Sequence, residues 1–323
     1  MFARIHEFCV QHNLLKSDQT IIIGLSGGPD SVLLLLALKH IAPTYNLTLH
    51  AAHLDHEWRK ESADEAQFCK ELCNQLNIPI HIKKISEITQ KFRSNGSREE
   101  LARKYRSYFF HELFQKYNAQ SVALAHHLDD QIETFFIRLI RGSTITGLSS
   151  IKPYAYRRIR PLLTIRKQEI ITFLTDNNIN FCVDSSNESL EYLRNRIRHT
   201  LIPALEKTDS RSIKTIEKTI ISLQETDAFL QDYIQEKLHT LTDDDTKKLA
   251  FSALLQEPQR FIQTSIILQW LIQNNIPFQP SQGLLEEIRR FFSNQKSTTH
   301  NISQQWSIKK HQGYATLMQQ GNS

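Results

Sequence analysis

Cysteine is scarce in this chain, and what there is forms no framework. Cys9, Cys69, Cys73 and Cys182 are the only four in 323 residues, and no C-x-x-C pair occurs. A disulfide scaffold is therefore excluded, and reduced, mostly buried thiols are expected. Long apolar runs are also missing. The richest, Val32 to Leu38, is far too short to span a bilayer. The N-terminus carries no signal-peptide pattern, so the sequence predicts a cytoplasmic protein without a membrane partner. Neither sign of charge dominates: 39 Lys and Arg against 34 Asp and Glu leave +5, which permits a nucleic-acid partner without demanding one. Internal repeats and long low-complexity segments are absent. Hydrophobic content of 40% and charged content of 23% are those of a globular chain with a substantial core.

What is present is an alternation. Thr20–Gly24, Leu47–His53, Ile80–Ile85, Ser121–Ala125 and Ile159–Leu163 read as strands. Asp30–Ile41, Ser62–Leu76, Ser97–Tyr117, Leu128–Arg141 and Arg166–Asp176 read as helices. This order predicts an α/β fold, a Rossmann-like parallel sheet wrapped by helices, with ligands at the carboxyl ends of the strands. Three polar stretches follow strands there: Gly24–Asp30, His53–Arg59 and His126–Glu133. Past Leu190 the pattern turns helical, with Leu193–Leu205, a long amphipathic Ile213–Leu238, Gln259–Gln273 and Gln282–Ser293. A β-hairpin over Trp306–Lys310 and Tyr314–Met318 closes the chain. The expected division is a catalytic domain over 1–210 and a smaller, mainly helical domain over 211–323, entered through the long helix.

The densest feature is Ser26-Gly27-Gly28-Pro29-Asp30-Ser31, between an apolar strand and a leucine-rich helix. Glycines let the backbone approach a ligand, and first-turn N–H groups with the helix dipole favour an anion. The loop lacks both the Walker lysine and the three spaced glycines of a dinucleotide fingerprint. It carries a carboxylate, Asp30, where that lysine would stand. A carboxylate beside polyphosphate needs a cation between them, which points to a nucleotide bound with Mg²⁺. The same residues also fit an ordinary capped turn, since Pro is common in a first helical turn.

The second feature is His126-His127-Leu128-Asp129-Asp130-Gln131-Ile132-Glu133. On a helix, Asp129 and Glu133 are i,i+4 neighbours, and Asp130 and Glu133 are i,i+3. Such like charges repel by about 0.2–0.5 kcal/mol per pair. Acids in a first turn complement the dipole, which accounts for one or two of them. Three acids with two histidines fit better around a cation, either Mg²⁺ or an ammonium group. Arg138 and Arg141 sit near this helix's end, where cations are expected anyway, and Gly142 is a natural cap. Arg157, Arg158 and Arg160 form one basic cluster, and Arg194, Arg196 and Arg198 another.

These stretches carry a resemblance. The Ser-Gly-Gly-Pro-Asp-Ser loop resembles the modified P-loop of the N-type ATP pyrophosphatases. Within them, the chain is similar to the tRNA(Ile)-lysidine synthetases. The match rests on Ser26–Ser31, His53–Arg59, Glu99–Arg103 with Arg106, Ala125–Thr134 running on to Arg141-Gly142 and Gly147-Leu148, and Asp184–Asn187 followed by Arg194–Arg198. It covers about residues 20 to 205 and departs locally at Trp58, where the family usually has Leu.

The resemblance implies a ligase. ATP adenylates the carbon-2 oxygen of the wobble cytosine in a tRNA(Ile) with a CAU anticodon, and free L-lysine then displaces AMP. It implies ATP and Mg²⁺ as cofactors and leaves room for a homodimer. Ser26, Gly27, Gly28, Pro29, Asp30 and Ser31 would hold pyrophosphate, with Asp30 and Asp130 towards Mg²⁺. Asp129, Asp130 and Glu133 would hold lysine or the metal. Arg106, Arg194 and Arg196 would meet phosphate of ATP or RNA, and His53 would border adenosine. The second domain would measure tRNA shape. Other readings are a tRNA thiolase of the same superfamily, a small-molecule synthetase or amidotransferase, and a non-catalytic RNA-binding protein. The missing C-x-x-C weighs against the first, the lack of an evident glutaminase domain against the second, and the intact loop with its acid cluster against the third.

Overall fold

The computed structural model describes residues 1–58, 62–92, 98–183, 192–243 and 245–319, with the backbone alone at 98 and 99. By internal contacts the chain divides into two compact units, Met1–Gln224 and Glu225–Ser323.

In the first unit, β1 (Thr20–Gly24), β2 (Thr48–Asp55), β3 (Ile80–Lys84), β4 (Ser121–Ala123), β5 (Tyr154–Ala155) and β6 (Arg158–Ile159) form one sheet in the order β3-β2-β1-β4-β6-β5. All neighbours pair in parallel except β5 with β6. Ile21, Ile22 and Ile23 are wholly inaccessible, as a central parallel strand covered on both faces requires. The helix that follows, Pro29–Tyr45, buries Val32, Leu33, Leu34, Leu35, Ala37 and Leu38, so it is apolar nearly all round. It ends where Asn46 turns left-handed, at φ 50°.

From β1 the chain steps outward through β2 to β3, and then returns to place β4 on β1's other side. The order therefore reverses between β1 and β4. A crevice opens at such a switch point, outside the carboxyl ends of the strands. The loops after β1 and after β4 carry the two densest polar motifs of the sequence.

Two expectations need correction. The strand read over Ile159–Leu163 contains only Arg158–Ile159, because Pro161 cannot donate to a ladder. A short antiparallel edge strand, β5, precedes it through a tight turn at Tyr156 and Arg157, with φ of 51° and 60°. The helix read over Leu193–Leu205 is interrupted. A turn at Leu193–Arg196 passes through a π turn at Ile197–Leu201 into a helix over Ile202–Thr208. Pro203 has no N–H for the carbonyl four residues back, which accounts for the change of register.

The helix Ser212–Leu241 carries the division between units. The second unit contains the helices Arg260–Gln273 and Gln282–Ser293 and an antiparallel sheet, β7 (Thr299–Asn301), β8 (Trp306–His311) and β9 (Tyr314–Gln319). The predicted hairpin is β8–β9, turning at Gln312 and Gly313 with φ of 47° and 82°. Trp270 is fully buried in this unit's core with Ile266, Ile267, Ile288 and Ile308, and its indole N–H donates to the Lys247 carbonyl at 2.9 Å.

Candidate active site

The loop after β1 is held by its own hydroxyls. The Ser31 Oγ accepts from the Ser26 N–H at 3.1 Å and donates to the Gly28 carbonyl at 2.9 Å. The Ser26 and Ser31 hydroxyls lie 3.1 Å apart. Gly27 has φ of +88°, and a Cβ there would stand 3.2 Å from the Cys182 sulfur and 3.3 Å from that of Cys69. The Cys182 N–H donates to the Gly27 carbonyl at 2.9 Å. Gly28 caps the helix, and Pro29 occupies its first position. Pro29 has no N–H, and the Asp30 and Ser31 N–H groups that follow it have no acceptor within the helix.

This loop forms one wall of a cavity of about 380 Å³, which Asp30, His53, Arg106 and His126 also line. A Cβ on Gly24 would meet the Phe110 ring at 3.0 Å, so the floor here is closely packed against the glycine. The buried His53 donates its Nδ1–H to the Leu25 carbonyl at 3.0 Å, tying β2 to the start of the loop. Burial lowers the pKa of His53. Burial also pushes His126 down to about 4, against the pull of Asp130, so its ring is neutral at physiological pH. Its Nδ1 is buried without a hydrogen-bond partner.

A second cavity of about 1140 Å³ is lined by His127, Asp129, Asp130, Lys167 and Arg198 among others. Asp30 lines both cavities. The loop acid and the acid cluster thus meet at one carboxylate.

The cations that the acid cluster calls for are supplied by the chain itself. Glu133 is fully buried, and it accepts from Arg194 Nε at 2.6 Å and from Arg198 Nε at 2.6 Å. Arg194 also donates to Asp130 at 2.6 Å, and the other Asp130 oxygen accepts the His127 N–H at 3.0 Å. Asp129 accepts from Arg166 Nε at 3.0 Å and from the Lys167 N–H at 2.7 Å. Lys167 Nζ lies 2.7 Å from both oxygens of Asp30. Burial would raise the Asp130 carboxyl, but His127 and Arg194 hold it below the usual carboxylate range. Burial would lower Arg198 and Arg166, yet the carboxylates they touch raise both.

The structure therefore gathers Ser26, Gly28, Asp30, Ser31, His53 and Arg106 on the first cavity, and Asp129 and Asp130 on the second, while Gly27 and Pro29 shape the loop without lining either. Glu133 and Arg194 line neither; they lie behind the second cavity, in the ion network. Arg196 is exposed. Arg138 donates to the Gly147 and Ser150 carbonyls, a structural task. Arg59 and Asp184–Asn187 lie outside the described residues. Sequence reading placed a helix start at Arg166 but missed Arg166 and Lys167 as site residues, since nothing local pairs them with Asp129 and Asp30, 37 and 137 residues away.

A strand, a glycine-rich loop and a helix at the switch point of a doubly wound sheet define an α/β phosphate-binding domain. The model of the PP-loop domain family, ATP_bind_3, matches residues 2–205, and the chain belongs to that family. The chain is 34% identical over 302 residues to a tRNA(Ile)-lysidine synthase of Bacillus cereus, covering 90% of this chain and 63% of that protein. The tRNA(Ile)-lysidine synthase of Bacillus subtilis is 33% identical over 280 residues, 84% of this chain and 59% of that protein. The chain thus spans about three fifths of the length of these relatives. The U34-tRNA thiolase NcsA of Methanococcus maripaludis, solved with a [4Fe-4S] cluster, shares the fold: TM-score 0.58 at 18% identity, over 69% of this chain and 78% of that one.

Proposed function

We propose that this chain is an ATP-dependent ligase that joins L-lysine to carbon 2 of the wobble cytidine of a tRNA(Ile) with a CAU anticodon. Its alignment with proteins named for lysidine formation, over nine tenths of its own length, carries the reading. In the first step the carbon-2 oxygen attacks the α-phosphorus of ATP and pyrophosphate leaves. In the second the lysine ε-amine attacks carbon 2, the carbon–oxygen bond breaks, AMP departs and the amine's protons pass to a base.

The two cavities suit these two steps. The Ser26–Ser31 loop offers N–H groups and hydroxyls to the polyphosphate, Arg106 adds a cation, and His53 closes the adenosine side. The second cavity is lined by Asp129 and Asp130 together with Glu169, Asp176 and Glu206, a carboxylate-rich wall that favours an ammonium group. Glu133 acts on that wall through Arg194 and Arg198, which it holds. Among the carboxylates, Asp30 fits Mg²⁺ best. It is a quarter exposed at the edge of the phosphate cradle and its two oxygens share the exposed Lys167 ammonium, whereas Asp130 is more deeply buried and held by Arg194 and the His127 N–H. Mg²⁺ commonly uses one or two carboxylates together with substrate phosphates. When bound there it would neutralise polyphosphate charge as pyrophosphate leaves.

A tRNA thiolase would activate a base in the same way but transfer sulfur. Here Cys69 and Cys73 are buried, and burial raises both thiols, Cys73 to about 11. Such thiols are poor nucleophiles, so the lysine reading is favoured. No helix among the described residues is long and apolar enough to cross a membrane, and a tRNA substrate places the activity in the cytoplasm. Incubation with labelled lysine, ATP and total tRNA tests the proposal. Label in RNA, with AMP and pyrophosphate released in equal amounts, is expected. Sulfur incorporation, or no ATP-dependent label, would refute it.

A further inference from the structure

We propose that Lys167 is the phosphate-binding lysine that the Ser26–Ser31 loop lacks, stored on Asp30 while no polyphosphate is bound. The role rests on reading the first cavity as an ATP site. That loop presents a carboxylate where a Walker loop presents an ammonium. In space the ammonium is nonetheless there, delivered from 137 residues away. Lys167 Nζ is 2.7 Å from each Asp30 oxygen, so it bridges the carboxylate symmetrically at a residue that lines both cavities.

The attachment of Lys167 is two-part. Its backbone N–H is fixed on Asp129 at 2.7 Å, and Arg166 beside it holds the same carboxylate at 3.0 Å. The base of the side chain is therefore stationary, while the side chain is 37% exposed and its ammonium is held by Asp30. An ion pair so open to water contributes little to stability. A structural tie is a weak account of why the ammonium is aimed at the loop. Polyphosphate arriving with Mg²⁺ claims Asp30 for the metal. The ammonium is then left beside a denser set of anionic oxygens, within reach of a four-carbon stem, and a compact three-donor cation suits phosphate. Lys167 would thus bind the phosphates directly and keep the empty loop neutral in the meantime.

Calorimetric titration of the full chain with inorganic pyrophosphate tests this role. With Mg²⁺ present, Lys167→Met should weaken binding about tenfold or more, the usual effect of losing a charge-assisted hydrogen bond, and Lys167→Arg should restore most of it. Without Mg²⁺, Asp30→Asn should bind pyrophosphate more tightly than wild type, because repulsion is removed and Lys167 is released. Adding Lys167→Met to that variant should abolish the gain. Binding by Lys167→Met equal to wild type, or no metal-free gain in Asp30→Asn, overturns the role of Lys167 and leaves the ATP site standing. Tighter L-lysine binding by Lys167→Met with pyrophosphate unaffected would make Lys167 a mere occupant of the amine position, and also overturns it. A wild-type chain that binds neither pyrophosphate nor ATP overturns the ATP reading and this role together.

Discussion

Glu133→Gln removes one negative charge from the deepest point of the ion network while keeping the side-chain volume. Glu133 has no accessible surface, and its two oxygens take hydrogen bonds from Arg194 and Arg198 at 2.6 Å each. Arg198 adds a second at 3.2 Å. Removing one partner of a buried pair typically costs about 3–5 kcal/mol, because the other charge is left in a poor dielectric. Here the two guanidinium groups are 29% and 33% exposed, so water recovers part of their solvation, and Arg194 keeps Asp130. The lower end, about 3 kcal/mol, is therefore expected. That is a large share of a total stability of about 5–15 kcal/mol. Urea unfolding followed by circular dichroism should show a lower midpoint with an unchanged slope. Arg196→Gln, at an exposed position, should stay within about 0.5 kcal/mol of wild type. A Glu133→Gln midpoint indistinguishable from wild type would refute the clamp. Glu133 would then act in ligand binding without holding the fold.

Two further outcomes follow from the same geometry. His126 has a folded value of about 4 against 6.5 unfolded, so the unfolded chain binds the extra proton between them. The neutral ring's contribution is complete above pH 6.5 and is lost as pH falls towards 4. About 2 kcal/mol should go between pH 7 and pH 5. Urea titrations at those two pH values should show a smaller loss for His126→Gln, and an identical loss would contradict the burial of a neutral imidazole. Gly27→Ala combines a φ of +88° with Cβ contacts of 3.2 and 3.3 Å to two sulfurs, and should destabilise by about 1–2 kcal/mol. Gly28→Ala, whose Cβ meets nothing closer than 3.6 Å, carries only the smaller cost of replacing an N-cap glycine and should lower the thermal midpoint less, and equal shifts for the two would rule out the strain.

The sheet was legible because its signals are local. An apolar run into Gly-Gly-Pro-Asp announces strand, loop and helix within about a dozen residues, and the acids after β4 stand together in the chain. Elements with weak local patterns were misread. Pro161 shortened β6, Pro203 forced a π turn, and the short polar Thr299–Asn301 gave no alternation to reveal β7. The ion partners were not legible at all. Asp30 and Lys167 are separated by 137 residues, and Glu133 and Arg198 by 65. Spacing showed that the acids require cations. Only the return of the chain to the switch point showed that the chain provides them.

That provision has a gradient, which bears on what the site can exchange. Asp30, Asp129, Asp130 and Glu133 are held by Lys167, Arg166, Arg194 and Arg198, with Arg166 shared with Glu206, so each of these four carboxylates has a cationic partner before any ligand enters. A ligand carrying charge must therefore swap partners, and the cost of a swap depends on how far water reaches the charges left behind. Glu133 is wholly inaccessible, Asp130 and Asp129 are 13% and 15% exposed, and Asp30 is 25% exposed with Lys167 at 37%. Partner exchange is cheapest at Asp30, beside the phosphate loop, and dearest at Glu133. The deep pairs hold the acids in place whatever is bound, while the shallow pair can open to a metal and its polyphosphate.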